Sequence, residues 1–158
     1  MDIEIRPIEP TDKAGLAAAV EVSSDEAIRR RFLGPHGPLT PAELISLTEV
    51  DHEDHEALVA VEPATGHSVG VARYVRDRDH RDSAEIAFAV LEAWQGRGVG
   101  KALMRHLAEY ARTHGITRFT ALMLADNQPM RHLLADLGEV RVLSREGGTV
   151  ELAVDLTD

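Results

Sequence analysis

Residues 95–101 read Gln95-Gly96-Arg97-Gly98-Val99-Gly100-Lys101, with three glycines and two cations in one short stretch. The stretch follows an apolar, strand-like run at 84–91 and opens the clearest amphipathic helix in the chain, at 99–114. A strand running into a glycine turn at a helix start is an anion site. Glycine allows positive φ and close approach of the backbone to a ligand. The first helical amides have no internal partner, and the combination suits a pyrophosphate. Arg97 and Lys101 add charge. Two other glycine motifs do not fit. A Walker loop needs Gly in place of Gln95 and Ser or Thr in place of Ala102. A dinucleotide fingerprint needs Gly in place of Lys101 and a following βα repeat, although Asp126 is spaced to mimic its ribose-binding acid. A turn with no ligand would spend backbone entropy on several glycines without structural gain.

The second chemical candidate lies on the strand itself. Alternation places Ala84, Ile86, Phe88 and Val90 on one face, and Glu85, Ala87 and Ala89 on the other. Glu85 is then a lone carboxylate on a small-residue face. Apolar neighbours are expected to raise its pKa and make it a base near neutrality; the competing reading is an exposed strand glutamate without a role. The cluster Asp51-His52-Glu53-Asp54-His55-Glu56 positions no third metal ligand, so it reads as a solvated acidic helix end and no metal is expected.

The elements that must hold these groups follow from periodicity and breakers. Ile3 and Ile5 alternate in a short strand ended by Pro7. Thr11 is expected to cap a helix with an apolar stripe of Leu16, Ala17, Val20 and Val22. Ser24 begins a second helix, and Thr40-Pro41 with Glu43 has the form of a capping box opening a third. Strands are expected at 57–61 and 69–75, joined by a turn through Pro63 and Gly66. After the long helix, Gly115 marks a stop. A strand at 119–124, a helix at 128–137 and a hairpin around Gly147-Gly148 complete the chain. This order predicts one mixed α/β (α+β) domain over 1–158, with a mostly antiparallel sheet and flanking helices.

Composition narrows the function. Of 158 residues, 44% are hydrophobic and 28% charged, which suits a globular domain. The formal charge of -10 argues against non-specific nucleic-acid binding. No apolar run approaches membrane-spanning length, and residues 1–10 lack the core of a signal peptide. The absence of cysteine removes thiolate and disulfide chemistry and fits a cytoplasmic setting. Arg73, Arg76, Arg78, Arg81, Arg97, Lys101 and Arg105 form a basic stretch that, taken alone, reads as scattered solvated charge.

The turn closely resembles the acetyl-CoA motif of the GNAT superfamily: Gln or Arg, two residues, Gly, any residue, then Gly or Ala, filled here by Gln95, Gly98 and Gly100. Asn127 matches that family's cofactor-side asparagine. The resemblance implies a GNAT-like sheet with splayed central strands and pantetheine inserted between them. Backbone groups at Phe88 and Val90 would hold its amides, and residues 95–101 its pyrophosphate. It also implies acetyl-CoA as cosubstrate and Glu85 as general base. Leu134 stands where many members place a tyrosine acid; His132 is close by but is not assigned that role. Arg30-Arg31-Phe32-Leu33, the run 39–44 and Asn127-Gln128-Pro129-Met130 resemble bacterial protein lysine acetyltransferases that modify acyl-CoA synthetases. The implied acceptor is a protein lysine ε-amine. The alternatives are acetylation of a small free amine, or a non-catalytic acyl-CoA sensor. Oligomeric state is left open.

Overall fold

The computed structural model describes residues 2–156. Its strands are β1 (Glu4–Pro7), β2 (His55–Glu62), β3 (His67–Arg76), β4 (Ser83–Val90), β5 (Arg118–Leu124), β6 (Val140–Glu146) and β7 (Thr149–Asp155). Its helices are α1 (Lys13–Glu21), α2 (Asp25–Phe32), α3 (Pro41–Thr48), α4 (Val99–Thr113) and α5 (Gln128–Leu137). The strands form a single sheet in the order β1-β2-β3-β4-β5-β7-β6. Each neighbouring pair is antiparallel except β4 and β5, which are parallel and joined by the crossover helix α4. This is the mixed, mostly antiparallel α/β sheet that the pattern predicts.

Two cores fix which side chains face where. On one face, Val99, Leu103, Met104, Leu107, Ala108 and Ala111 of α4 bury a helical stripe against Ala72, Tyr74, Ile86 and Phe119. On the other face, Leu16, Leu39 and Ala57 pack with Val71, joined by Val20, Phe32, Leu44, Leu47 and Ala89. The alternation along β4 therefore divides it as expected. Ile86 and Phe88 face the α4 core, while Ala87 and Ala89 face α1, α2 and α3.

Capping follows the sequence in two helices. The Ser24 Oγ accepts from the Ala27 amide at 3.1 Å, opening α2. Thr40 and Glu43 exchange bonds of 3.1 and 3.0 Å in a capping box at α3. Thr11, in contrast, does not cap α1. Asp12 accepts two 2.9 Å bonds from Arg6 and one of 2.7 Å from the Glu9 amide. Those bonds tighten residues 10–12 into a 3-10 turn and move the helix start to Lys13. Val22 also leaves the stripe: it lies past the end of α1 and is 72% exposed.

Pairing between β4 and β5 stops early. The only paired residues are Ser83 with Arg118, Ala84 with Phe119, and Glu85 with Thr120. β4 continues to Val90 and β5 to Leu124, so the two central strands part beyond Glu85.

Candidate active site

The strand gap opens onto the glycine turn. Gly96 and Gly98 have φ of 76° and 85°, in the left-handed region that side chains other than glycine rarely adopt. Gly98 is the N-cap residue of α4 and offers no side chain to its amides. In α2, α3 and α5 a capping side chain occupies that role. The start of α4 thus keeps its donors for a ligand. Lys101 stands 3.6 Å from Asp136, and Arg97 lies 4.8 Å over the Trp94 ring.

The free edge of β4 can be read from its ladder. The Asp77 amide donates to Ser83 O at 2.8 Å, and the Leu91 amide donates to Val69 O at 2.9 Å. Antiparallel pairs alternate, so the odd-numbered residues of β4 aim their peptide groups at β3. The Ile86 amide is taken by the last pairing with β5, at Glu85 and Thr120, so the Ile86 carbonyl and the peptide groups of Phe88 and Val90 aim at the gap. The Gln95 side chain already uses this direction, donating to Val90 O at 3.2 Å. A linear ligand with amides of its own would find strand-like partners here.

A cleft of 590 Å³ joins gap, turn and the α2 side of the sheet. Of the residues singled out in the sequence, Phe88, Val90, Gln95, Gly96, Gly98, Val99, Gly100, Lys101 and Asn127 line it. Arg97 does not. The Val99 side chain is 1% exposed in the core, so only its backbone is free to serve a ligand. Asn127 has a local task that its spacing did not reveal: its Oδ1 caps α5 by accepting from the Met130 amide at 3.2 Å. Leu134 is fully buried in the core, and His132 is exposed at the cleft wall.

Glu85 stands just beyond the cleft, at the last paired position of β4. It lines a separate open basin of 700 Å³ with Val75, Asp77, Arg118, Thr120, Leu143 and Glu151. Its carboxylate is exposed, so the apolar enclosure expected from Ala87 and Ala89 is absent. The reason is topological. α2 and α3 cover the β3 and β4 end of this face, while the β5, β7 and β6 end lacks a helix, leaving Leu122 and Leu143 at 46% and 45% exposure.

Two arginines were missed as site residues. Arg73 reaches the cleft from β3 opposite Ala87 and is 5% exposed. Its Nη1 donates to Leu47 O and to His55 Nε2, both at 3.0 Å. Arg31, on α2, lies 5.0 Å over the Phe32 ring and also lines the cleft. Burial pushes both guanidiniums below their ordinary value, and Arg31 adds to the effect on Arg73; each remains cationic at neutral pH. The sequence did carry a signal, an arginine at a strand's period of two after Val71, on the face that Val71 buries.

The expected solvated histidine cluster is in fact structured. His52 Nδ1 and the buried Glu56 lie 2.8 Å apart, and Asp51 Oδ1 accepts from the amides of Glu53, Asp54 and His55. Burial, then the Arg73 charge, pushes His55 from 6.5 down to about 4. The native state therefore holds His55 neutral while the unfolded chain protonates it. That contribution to stability is complete above about pH 6.5 and is lost as pH falls toward about 4. Urea midpoints should drop across this window more steeply in the wild type than in His55→Gln, whose amide oxygen still accepts from Arg73. Parallel curves would contradict the assignment.

This fold and cleft are those of the acetyltransferase (GNAT) family, to which the chain belongs; the family model matches residues 23–138. The chain is 40% identical over 153 residues to acetyltransferase Pat of Mycolicibacterium smegmatis, a match covering 96% of this chain and 45% of that protein. It thus spans less than half of that relative's length. The GNAT domain of S. lividans PAT superposes with a TM-score of 0.89 at 35% identity, covering 98% of this chain and 90% of that one. The fold is also that of the acetyltransferase yncA from Salmonella typhimurium, solved with its cofactor acetyl-CoA (TM-score 0.77, 20% identity, 100% and 96% coverage). Among the described residues, no helix is long and apolar enough to cross a membrane.

Proposed function

We propose that the chain is an acetyl-CoA-dependent N-acetyltransferase acting on a protein lysine ε-amine, on an acyl-CoA synthetase, with Glu85 as general base. The observation that carries the reading is the gap between β4 and β5 leading onto uncapped α4 amides. Residues 96–100 receive the pyrophosphate on backbone donors, and Lys101 adds charge. Phe88 and Val90 bond the pantetheine arm along the free edge of β4. Acetyl-CoA supplies the thioester, whose carbonyl carbon bonds the amine nitrogen as the C–S bond breaks and CoA leaves as thiolate. Glu85 takes the proton that the amine must lose. Leu134 is too deep in the core to act as an acid, so water or the departing amine proton neutralises the sulfur.

The choice of a protein acceptor draws support from the open face around Glu85. Val75, Leu122 and Leu143 expose apolar surface beside it, at 47%, 46% and 45%. A small amine is better served by an enclosed pocket, and a protein loop by an open face. The test is incubation with labelled acetyl-CoA and either a purified acyl-CoA synthetase or a panel of free amines. Label on a synthetase lysine is expected. Fast turnover of a free amine with an unlabelled synthetase would overturn the acceptor assignment, and no turnover at all would leave a binding module.

A further inference from the structure

We propose that Arg31 and Arg73 form a carboxylate-binding subsite in the acceptor half of the cleft, so that the amine acetylated carries a carboxylate close beside it. The inference rests on reading this face of β4 as the acceptor side. Most arginines on this acidic protein have a carboxylate at hand: Arg6 with Asp12, Arg29 with Asp126, Arg76 with Asp54, Arg105 with Asp136 and Arg118 with Asp155. Arg31 and Arg73 make no such ion pair among the described residues, although they are buried more deeply than the exposed pairs. Isolated buried charge is costly, and a bound counter-ion relieves the cost.

Each side chain is held in place without being neutralised. Arg73 Nη1 is fixed by Leu47 O and His55 Nε2, both neutral acceptors, at 3.0 Å. Its Nε and Nη2 have no protein partner among the described residues. The small Ala87 opposite leaves the cleft open in front of it. Arg31 rests on the Phe32 ring, which stacks on His36 at 4.1 Å; His36 in turn bonds Glu43 at 2.9 Å. The carboxylates whose fields reach Arg31 are Glu43 and Glu85.

Spacing then makes the subsite specific. Arg73 is level with Ala87, two residues along the same face from Glu85. That is about 7 Å along a strand. An ammonium approaching Glu85 and a carboxylate approaching the arginines are separated by about one residue's reach. Two sources meet this chemistry: an Asp or Glu beside a protein lysine, and the α-carboxylate of a free amino acid.

The test is calorimetric binding to the CoA-saturated protein, which needs no turnover. The probes are Gly-Asp-Lys-Gly against Gly-Asn-Lys-Gly, both amidated and N-acetylated, and free lysine against lysinamide. The carboxylate member of a pair should bind on the order of tenfold tighter, as charge-assisted guanidinium bonds do. Arg31→Gln and Arg73→Met should each erase the difference while keeping CoA affinity. If Arg73→Met fails to fold, Arg31→Gln decides alone. Discrimination within the peptide pair assigns the acidic neighbour of a protein lysine. Discrimination confined to lysine against lysinamide upholds the subsite but turns the acceptor into a free amino acid, against the protein-lysine reading. The absence of charge-dependent binding in both pairs, or a preference that survives the substitutions, overturns the subsite.

Discussion

Glu85→Gln is expected to lower kcat/KM at neutral pH by on the order of a hundredfold to ten-thousandfold, the usual contribution of a positioned base, while leaving CoA affinity intact. The amide is nearly isosteric and sits at an exposed position, so the sheet should not be disturbed. What disappears is the proton acceptor. Lysine has an ordinary pKa of about 10.4, so nearly every acceptor arrives protonated at neutral pH. The loss should shrink at high pH, where more amine arrives neutral. If Glu85 only attracts the ammonium, Glu85→Gln should raise the acceptor KM and leave the kcat profile in place. Near-wild-type kcat/KM would remove both roles.

Gly98→Leu is expected to cost the protein CoA binding and part of its stability together. At φ 85° a side chain is strained by about 1–3 kcal/mol. The larger effect is on the ligand. A leucine at the N-cap of α4 stands over the amides that have no capping side chain. Losing even two charge-assisted bonds weakens affinity by at least on the order of a hundredfold. Gly100→Ala is the control. A Cβ there would lie 3.4 Å from Leu133 Cδ1 and 3.7 Å from Phe88 Cε2, in ordinary contact, on helical backbone. It should keep CoA affinity, with stability unchanged or raised by about 0.4–1 kcal/mol. Calorimetry with thermal denaturation separates the two losses. Equal CoA affinity in wild type and Gly98→Leu would move the pyrophosphate elsewhere.

The parts of the fold and site that could be read from the sequence were those set by local rules. The face division of β4 follows from a strand's period of two, the Thr40 and Glu43 capping box from its own spacing, and the left-handed glycine turn at the start of α4 from glycine chemistry next to a helix. The mistaken or missing parts depend on contacts far apart in the chain. Thr11 lost the cap because Arg6, six residues from Asp12, rearranged the turn. Glu85 looked enclosed because Ala87 and Ala89 are small, but whether a face is covered depends on where α2 and α3 end and on the unshielded β5, β7 and β6 strands. Arg73 looked like one more solvated cation until β3 carried it beneath α3. His55 became a buried acceptor through the same arginine, 18 residues away. The parting of β4 from β5 rested on resemblance alone, since no alternation within either strand encodes where pairing stops.

The account turns on CoA lying between β4 and β5 as an added strand, and amide hydrogen exchange reads that directly. The Ile86 amide is taken up by the last pairing, Glu85 with Thr120, and in the free protein the amides of Phe88 and Val90 face the gap beyond it. Saturation with CoA should slow their exchange, along with that of the first amides of α4 after Gly98, while Ala87 and Ala89, already bonded to β3, change little. Unchanged exchange at Phe88 and Val90 under saturating CoA, with protection appearing elsewhere, would contradict it.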